Sequence, residues 1–114
     1  MSAEELKYQL IEIFGNQVTF NKEFDKYAET IKNVDENLIV WCNLLKEGKI
    51  NPQRPRKLKD NLVFIKKIGS SNRCIVIKIK NEEFKEIHLA DHEYYDRLRK
   101  KLGLKINSKK YWMV

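Results

Sequence analysis

Arg73, His88, His92, Tyr94 and Tyr95 are the side chains best suited to moving protons or holding a phosphate. Cleaving an RNA phosphodiester without a metal needs three things: a base for the 2′-hydroxyl proton, an acid for the leaving 5′-oxygen, and cations to stabilise charge on phosphorus. His, Tyr, Lys and Arg supply all of them. No HExxH, P-loop, acidic cluster or paired-carboxylate pattern directs the chemistry elsewhere. Arg73 opens a run that reads as a strand, and His92 follows the next such run, so guanidinium and imidazole can flank one phosphate. An imidazole with an unperturbed pKa near 6.5 serves as acid or base. His92 is preferred to His88, because a histidine inside an alternating strand is more often packed or solvated. Tyr94 and Tyr95 point apart on a helix; Tyr95 continues toward Leu98 and the core, leaving Tyr94 exposed.

Cationic residues gather around these candidates. Arg54, Arg56, Lys57 and Lys59 precede the strands, and in an extended segment alternating charges share one side. Arg97, Arg99, Lys100, Lys101, Lys105, Lys109 and Lys110 close the chain, with Tyr111 and Trp112 beside them. That group suits bases stacking over a backbone-tracking groove, or equally an aromatic anchor for the tail. Residues 1–45 hold four Lys or Arg against eight acids, a balance of −4, while the remainder holds nineteen against eight, or +11. Such asymmetry points toward a polyanion, meaning nucleic acid, an anionic membrane or an acidic protein partner. Cys42 and Cys74 lack metal-site spacing and lie in the apolar runs IVWCNLL and CIVIKI, which reads as buried thiols in a reducing compartment. Neither a metal nor a cofactor is expected.

The elements that position these residues follow from periodicity. Leu6, Leu10, Ile11, Ile13 and Phe14 form a helical face that Gly15 and Asn16 end. A short strand over 17–20 leads to Asn21, a candidate N-cap. Helical spacing then runs through Phe24, Tyr27, Ala28 and Ile31, and resumes from Leu38 to Leu45, as a helix pair or one bent helix over 22–47. Pro52 and Pro55 break it. Beyond them the period is two, predicting three antiparallel strands within 61–90, joined at GSSN (69–72) and KNEE (80–83). In the last strand Phe84, Glu86 and His88 oppose Lys85, Ile87 and Leu89. A helix capped by Asp91 and stopped by Gly103 follows. The sequence thus predicts an α+β fold: an antiparallel sheet, N-terminal strand plus meander, covered on one face by helices and free to bind on the other. One domain spans 1–114, with a helical extension over 1–16 and a basic, aromatic tail over 104–114. No apolar run reaches the roughly 18 to 20 residues of a membrane span, and acids occupy the N-terminus where a signal peptide needs bases, so a cytoplasmic protein is expected.

Residues 17–97 carry a further pattern: the short strand and Phe24 helix, PRKLKDNL over 55–62, IGSSNRCIVI over 68–77 and IHLADHEYY over 87–95. This succession resembles the RelE/ParE-like toxins of toxin–antitoxin modules, whose pattern is KLKG…L, an Arg opening a strand in a YRI context, and a last strand leading into an H…Y pair. Asp60 and Asn61 stand where the family has Gly, and Asn72 where it has an aromatic residue. The resemblance implies a metal-independent endoribonuclease that cleaves mRNA on the ribosome and is held by an acidic antitoxin. Arg73 is then the phosphate clamp, His92 the catalytic-end histidine, and Tyr94 or Tyr95 the terminal tyrosine. Lys57 and Lys59, with Arg54 and Arg56 beside them, match the basic segment. Two alternatives share this fold: a ParE-like gyrase inhibitor, which the His and Tyr at the strand end disfavour, and a non-catalytic RNA-binding or processing accessory protein.

Overall fold

The change of period at Pro52 and Pro55 marks the passage from helices to sheet. A computed structural model of the chain describes residues 2–30, 36–69 and 71–104; the tail with Lys105, Lys109, Lys110, Tyr111 and Trp112 lies outside them. In chain order the elements are α1 (Ala3–Phe14), β1 (Thr19–Phe20), α2 (Phe24–Thr30), α3 (Glu36–Lys46), β2 (Asn61–Ile68), β3 (Asn72–Ile79), β4 (Phe84–Ala90) and α4 (His92–Leu102). Ser2 caps α1 by accepting the Glu5 N–H at 3.1 Å. No helix among the described residues is long and apolar enough to cross a membrane.

The fold is α+β, as expected, but its sheet is mixed. β2, β3 and β4 form the antiparallel meander, whereas β1 lies parallel to β4, with Thr19 opposite Glu86 and Phe20 opposite Ile87, in the order β1-β4-β3-β2. This corrects the expected all-antiparallel sheet. After β1 the chain passes through two helices and enters the sheet at its far edge, so the third meander strand returns beside β1 in the same direction. Asn21 is corrected with it. Its side chain does not cap a helix: its amide donates to the Leu89 carbonyl at 2.9 Å and accepts the Leu89 N–H at 3.0 Å. A two-residue strand is thereby prolonged by a side chain.

The second correction concerns the face expected to be free. Leu6, Leu10, Phe14, Phe24, Leu38, Trp41 and Leu45 from α1, α2 and α3 pack on one side of the sheet against Phe64, Cys74, Val76, Phe84, Ile87 and Leu89. On the other side Tyr95 and Leu102 of α4, with Leu104, cover Val63, Ile75 and Ile77. Residues 73–77 of β3 are consequently all buried, and the run CIVI signals this, since a strand covered on both faces loses its polar alternation. Cys42 and Cys74 are fully buried free thiols, and burial pushes Cys42 up to about 12. A bulge in β4 completes the frame. Ile77 pairs with Glu86 but Lys78 with Phe84, so Lys85 is the extra residue and Phe84 joins Ile87 and Leu89 against the α1–α3 layer. Glu86 and His88 stay on the α4 side.

Candidate functional site

β1 and β4 end, β3 begins, and α2 and α4 start at one end of the sheet. Glu86 and His88, two residues apart on a strand, share a face, and α4 brings Tyr94 over it. The Glu86 Oε1 lies 2.8 Å from His88 Nε2, and His88 Nδ1 lies 2.7 Å from the Tyr94 hydroxyl. The bond from His88 holds the Glu86 carboxyl below the usual carboxylate range, against the opposing effect of burial and with help from Lys85. An ionised Glu86 can only accept, so Nε2 carries the proton in the neutral imidazole and Nδ1 accepts from the Tyr94 O–H. Burial first, then the Glu86 and Glu23 charges, raise the Tyr94 phenol above its ordinary value, which keeps it a donor at neutral pH.

α4 is fixed at this point by its cap. Asp91 Oδ1 accepts the Tyr94 N–H at 2.8 Å, and that bond, opposed by burial and aided by Tyr27, Arg97 and Lys26, lowers the Asp91 carboxyl. Tyr27 on α2 faces Asp91 and Glu23, and burial with those carboxylates raises its phenol. Asp91 and Glu86 both have folded values depressed below unfolded ones of about 3.9 and 4.3. Their contribution to stability is therefore complete above about pH 5 and is lost as pH falls through the folded values. Asp91→Ala should cost about 1 kcal/mol at neutral pH, the usual magnitude for a lost cap. Its stability loss between pH 7 and pH 3 should be smaller than the wild type's, as read from urea midpoints at the two pH values.

The other expected catalytic residues take separate places. Tyr95 is buried against the sheet, as anticipated from its spacing to Leu98, and the Arg73 guanidinium carbon lies 5.8 Å from its ring centroid. Arg73 is only 5 % exposed and donates to the Asn72 carbonyl at 2.7 Å; burial lowers its pKa, and Tyr95 and Asp96 counteract this. His92 points outward, its side chain 64 % exposed, with Nε2 3.2 Å from Asp96 Oδ2. Asp96 Oδ1 also receives Arg99 at 3.1 Å. His92 is thus paired with Asp96, whose charge also acts on the buried Arg73, while Tyr94 belongs to the Glu86–His88 chain.

The structure brings the two basic groups together. Backbone N–H groups of Arg56 and Lys57 donate to the Gly103 and Leu102 carbonyls at 3.3 and 3.4 Å, and Lys57 Nζ to the Lys100 carbonyl at 3.1 Å. Gly103 makes this possible. It has φ +75°, ends α4 through bonds from Gly103 and Leu104 to the Lys100 and Arg99 carbonyls, and a Cβ there would stand 3.0 Å from Lys57 Cγ. Arg54, Arg56, Lys59, Arg97, Lys100 and Lys101 are exposed, and none of them forms an ion pair among the described residues. Tyr94, Arg97 and Lys101 follow one helical face, with the Arg97 guanidinium 6.0 Å from the Tyr94 ring centroid. That face leads from the hydrogen-bonded chain to the basic surface.

Sequence reasoning missed Glu86, Asn21, Glu23 and Tyr27. For Glu86 a signal existed: a carboxylate and a histidine two apart in an alternating strand must share a face. Among the described residues no group of His, Cys, Asp and Glu could hold a metal ion. Comparison of the chain with protein-family models, with curated proteins and with solved structures finds no match.

Proposed function

We propose that the protein is an RNA-directed toxin of the RelE-like kind, a metal-independent endoribonuclease that cuts mRNA in the cytoplasm while the ribosome positions it, and that an acidic antitoxin neutralises it. The observation that carries this reading is the fastening of segment 54–59 onto the end of α4, which merges two runs of cations into one exposed surface. Single-stranded RNA binds such surfaces through its phosphates, and exposed Arg and Lys that form no ion pair among the described residues present their charge to it. Tyr94 and His92 at the other end of α4 supply proton-transfer groups, and Arg73 supplies a buried positive charge beneath Tyr95.

The test is induced expression with primer-extension mapping of cellular mRNA, together with incubation of purified protein with free and ribosome-bound mRNA in buffer that keeps the magnesium ribosomes need. Cleavage of the ribosome-bound mRNA is the expected result. Intact mRNA with altered DNA supercoiling would transfer the reading to gyrase inhibition. Salt-sensitive RNA binding without cleavage would leave an accessory RNA-binding protein.

A further inference from the structure

We propose that Glu86, His88 and Tyr94 form a proton relay in which the Tyr94 hydroxyl is the base presented to the RNA. The proposal rests on the cleavage reading and names residues that the resemblance does not supply, Glu86 and His88. Its basis is geometric. His88 is 7 % exposed and both its ring nitrogens are engaged, Nε2 by Glu86 at 2.8 Å and Nδ1 by Tyr94 at 2.7 Å. The imidazole therefore acts on a substrate only through one of its two partners. Glu86, ionised and accepting the Nε2 proton, is the inner orienting end, and Tyr94, half-buried on the face that leads to Arg97 and Lys101, is the outer end. A carboxylate, an imidazole and a hydroxyl in hydrogen-bond sequence constitute the arrangement by which a weakly acidic hydroxyl is made to give up its proton.

The step balances as follows. The 2′-hydroxyl oxygen attacks the adjacent phosphorus and its proton passes to Tyr94 Oη, as the phenol's own proton passes to His88 Nδ1. The imidazolium so formed is stabilised by the Glu86 carboxylate. The P–O5′ bond breaks with its electron pair on the 5′-oxygen, which takes a proton from water, leaving a 2′,3′-cyclic phosphate and a 5′-hydroxyl. His88 Nδ1 then returns its proton to Tyr94 Oη as the phenol gives its own to the hydroxide left by that water. The other groups facing Tyr94 are Asn21 and Glu23 ahead of α2, and Arg97 on α4. Arg97, whose charge favours the phenolate, is placed to ease the transfer.

Tyr94→Phe keeps the ring and removes only the hydroxyl. With ribosome-bound mRNA it should lower kcat by about 10²-fold or more, the scale of general-base catalysis, with KM little changed and the thermal midpoint lowered only by what the loss of the His88 Nδ1 partner costs. His88→Gln and Glu86→Gln should also lower kcat. Tyr94 replaced by 3-fluorotyrosine, a more acidic phenol of nearly the same shape, should retain cleavage with its pH–rate profile displaced to lower pH, which a merely structural role would not produce. If wild-type protein cleaves and Tyr94→Phe cleaves at a similar rate, the relay is overturned and the nuclease reading stands. An unmoved profile with fluorotyrosine overturns it likewise. If the wild type cleaves no RNA, the nuclease reading falls first and the relay's role falls with it.

Discussion

With Arg54, Arg56, Lys59, Lys100 and Lys101 all replaced by alanine, the salt dependence of single-stranded RNA binding flattens by about 3.5 in the slope of log affinity against log salt. Each phosphate contact on a single strand contributes about 0.7 to that slope through counterion release. Between 50 and 200 mM salt the wild type would then lose roughly a hundredfold more affinity than the variant. The five residues are exposed and free of ion pairs among the described residues, so their removal leaves no carboxylate stranded. Lys57 is excluded because its ammonium serves the Lys100 carbonyl and its loss would loosen the segment itself. Lys46→Ala, on α3 across the sheet, is the control and should leave the slope unchanged. Fluorescence anisotropy over a salt series reads the result, and equal slopes for the five-residue variant and the wild type would remove RNA from this surface.

Deleting residues 2–14 should abolish folding. α1 reads from sequence as an extension, yet Ala3, Leu6, Leu10 and Phe14 are buried, and the Phe14 ring lies 4.5 Å from that of Phe84 on β4. Leu10, with no exposed surface, should cost about 2–5 kcal/mol when cut to Ala, and Phe14 about 3–5. A domain of this size has about 5–15 kcal/mol in total, so losing the whole helix exceeds what is available. Far-ultraviolet circular dichroism and thermal melting check it. A truncated chain with a cooperative melt near the wild type's would show that α1 is dispensable.

Much of this architecture was legible because it is written in local patterns. The period-two runs gave β2, β3 and β4, and Asp91 and Gly103 bounded α4 at the positions the structure shows. What escaped depends on residues distant in the chain. β1 has only Thr19 and Phe20 to announce a parallel partner, and Asn21 looks like a cap until Leu89 is beside it. The bulge at Lys85 is invisible because FKEIHL alternates well enough without it. The candidate site divides in the same way. Tyr95 as core followed from helical spacing, whereas the Glu86–His88–Tyr94 chain needs the turn between β4 and α4 to fold Tyr94 back over His88. Arg73 under Tyr95 could not be read from either residue's neighbours.

The pairing of β1 with β4 sets an order of events during synthesis. Gln17 donates to the Phe84 carbonyl across sixty-seven residues, and the Asn21 contacts with Leu89 span sixty-eight. α1, α2 and α3 therefore leave the ribosome before the last strand of the cluster that holds Leu10, Phe24 and Leu38. At about 5–20 residues per second, roughly 3 to 13 seconds pass before β4 arrives to complete it. Loop closure over such a distance is slow, and exposed apolar surface in that interval is prone to aggregation. Yield from the cell should thus respond to slow translation and to chaperone supply more strongly than the stability of the finished protein would suggest.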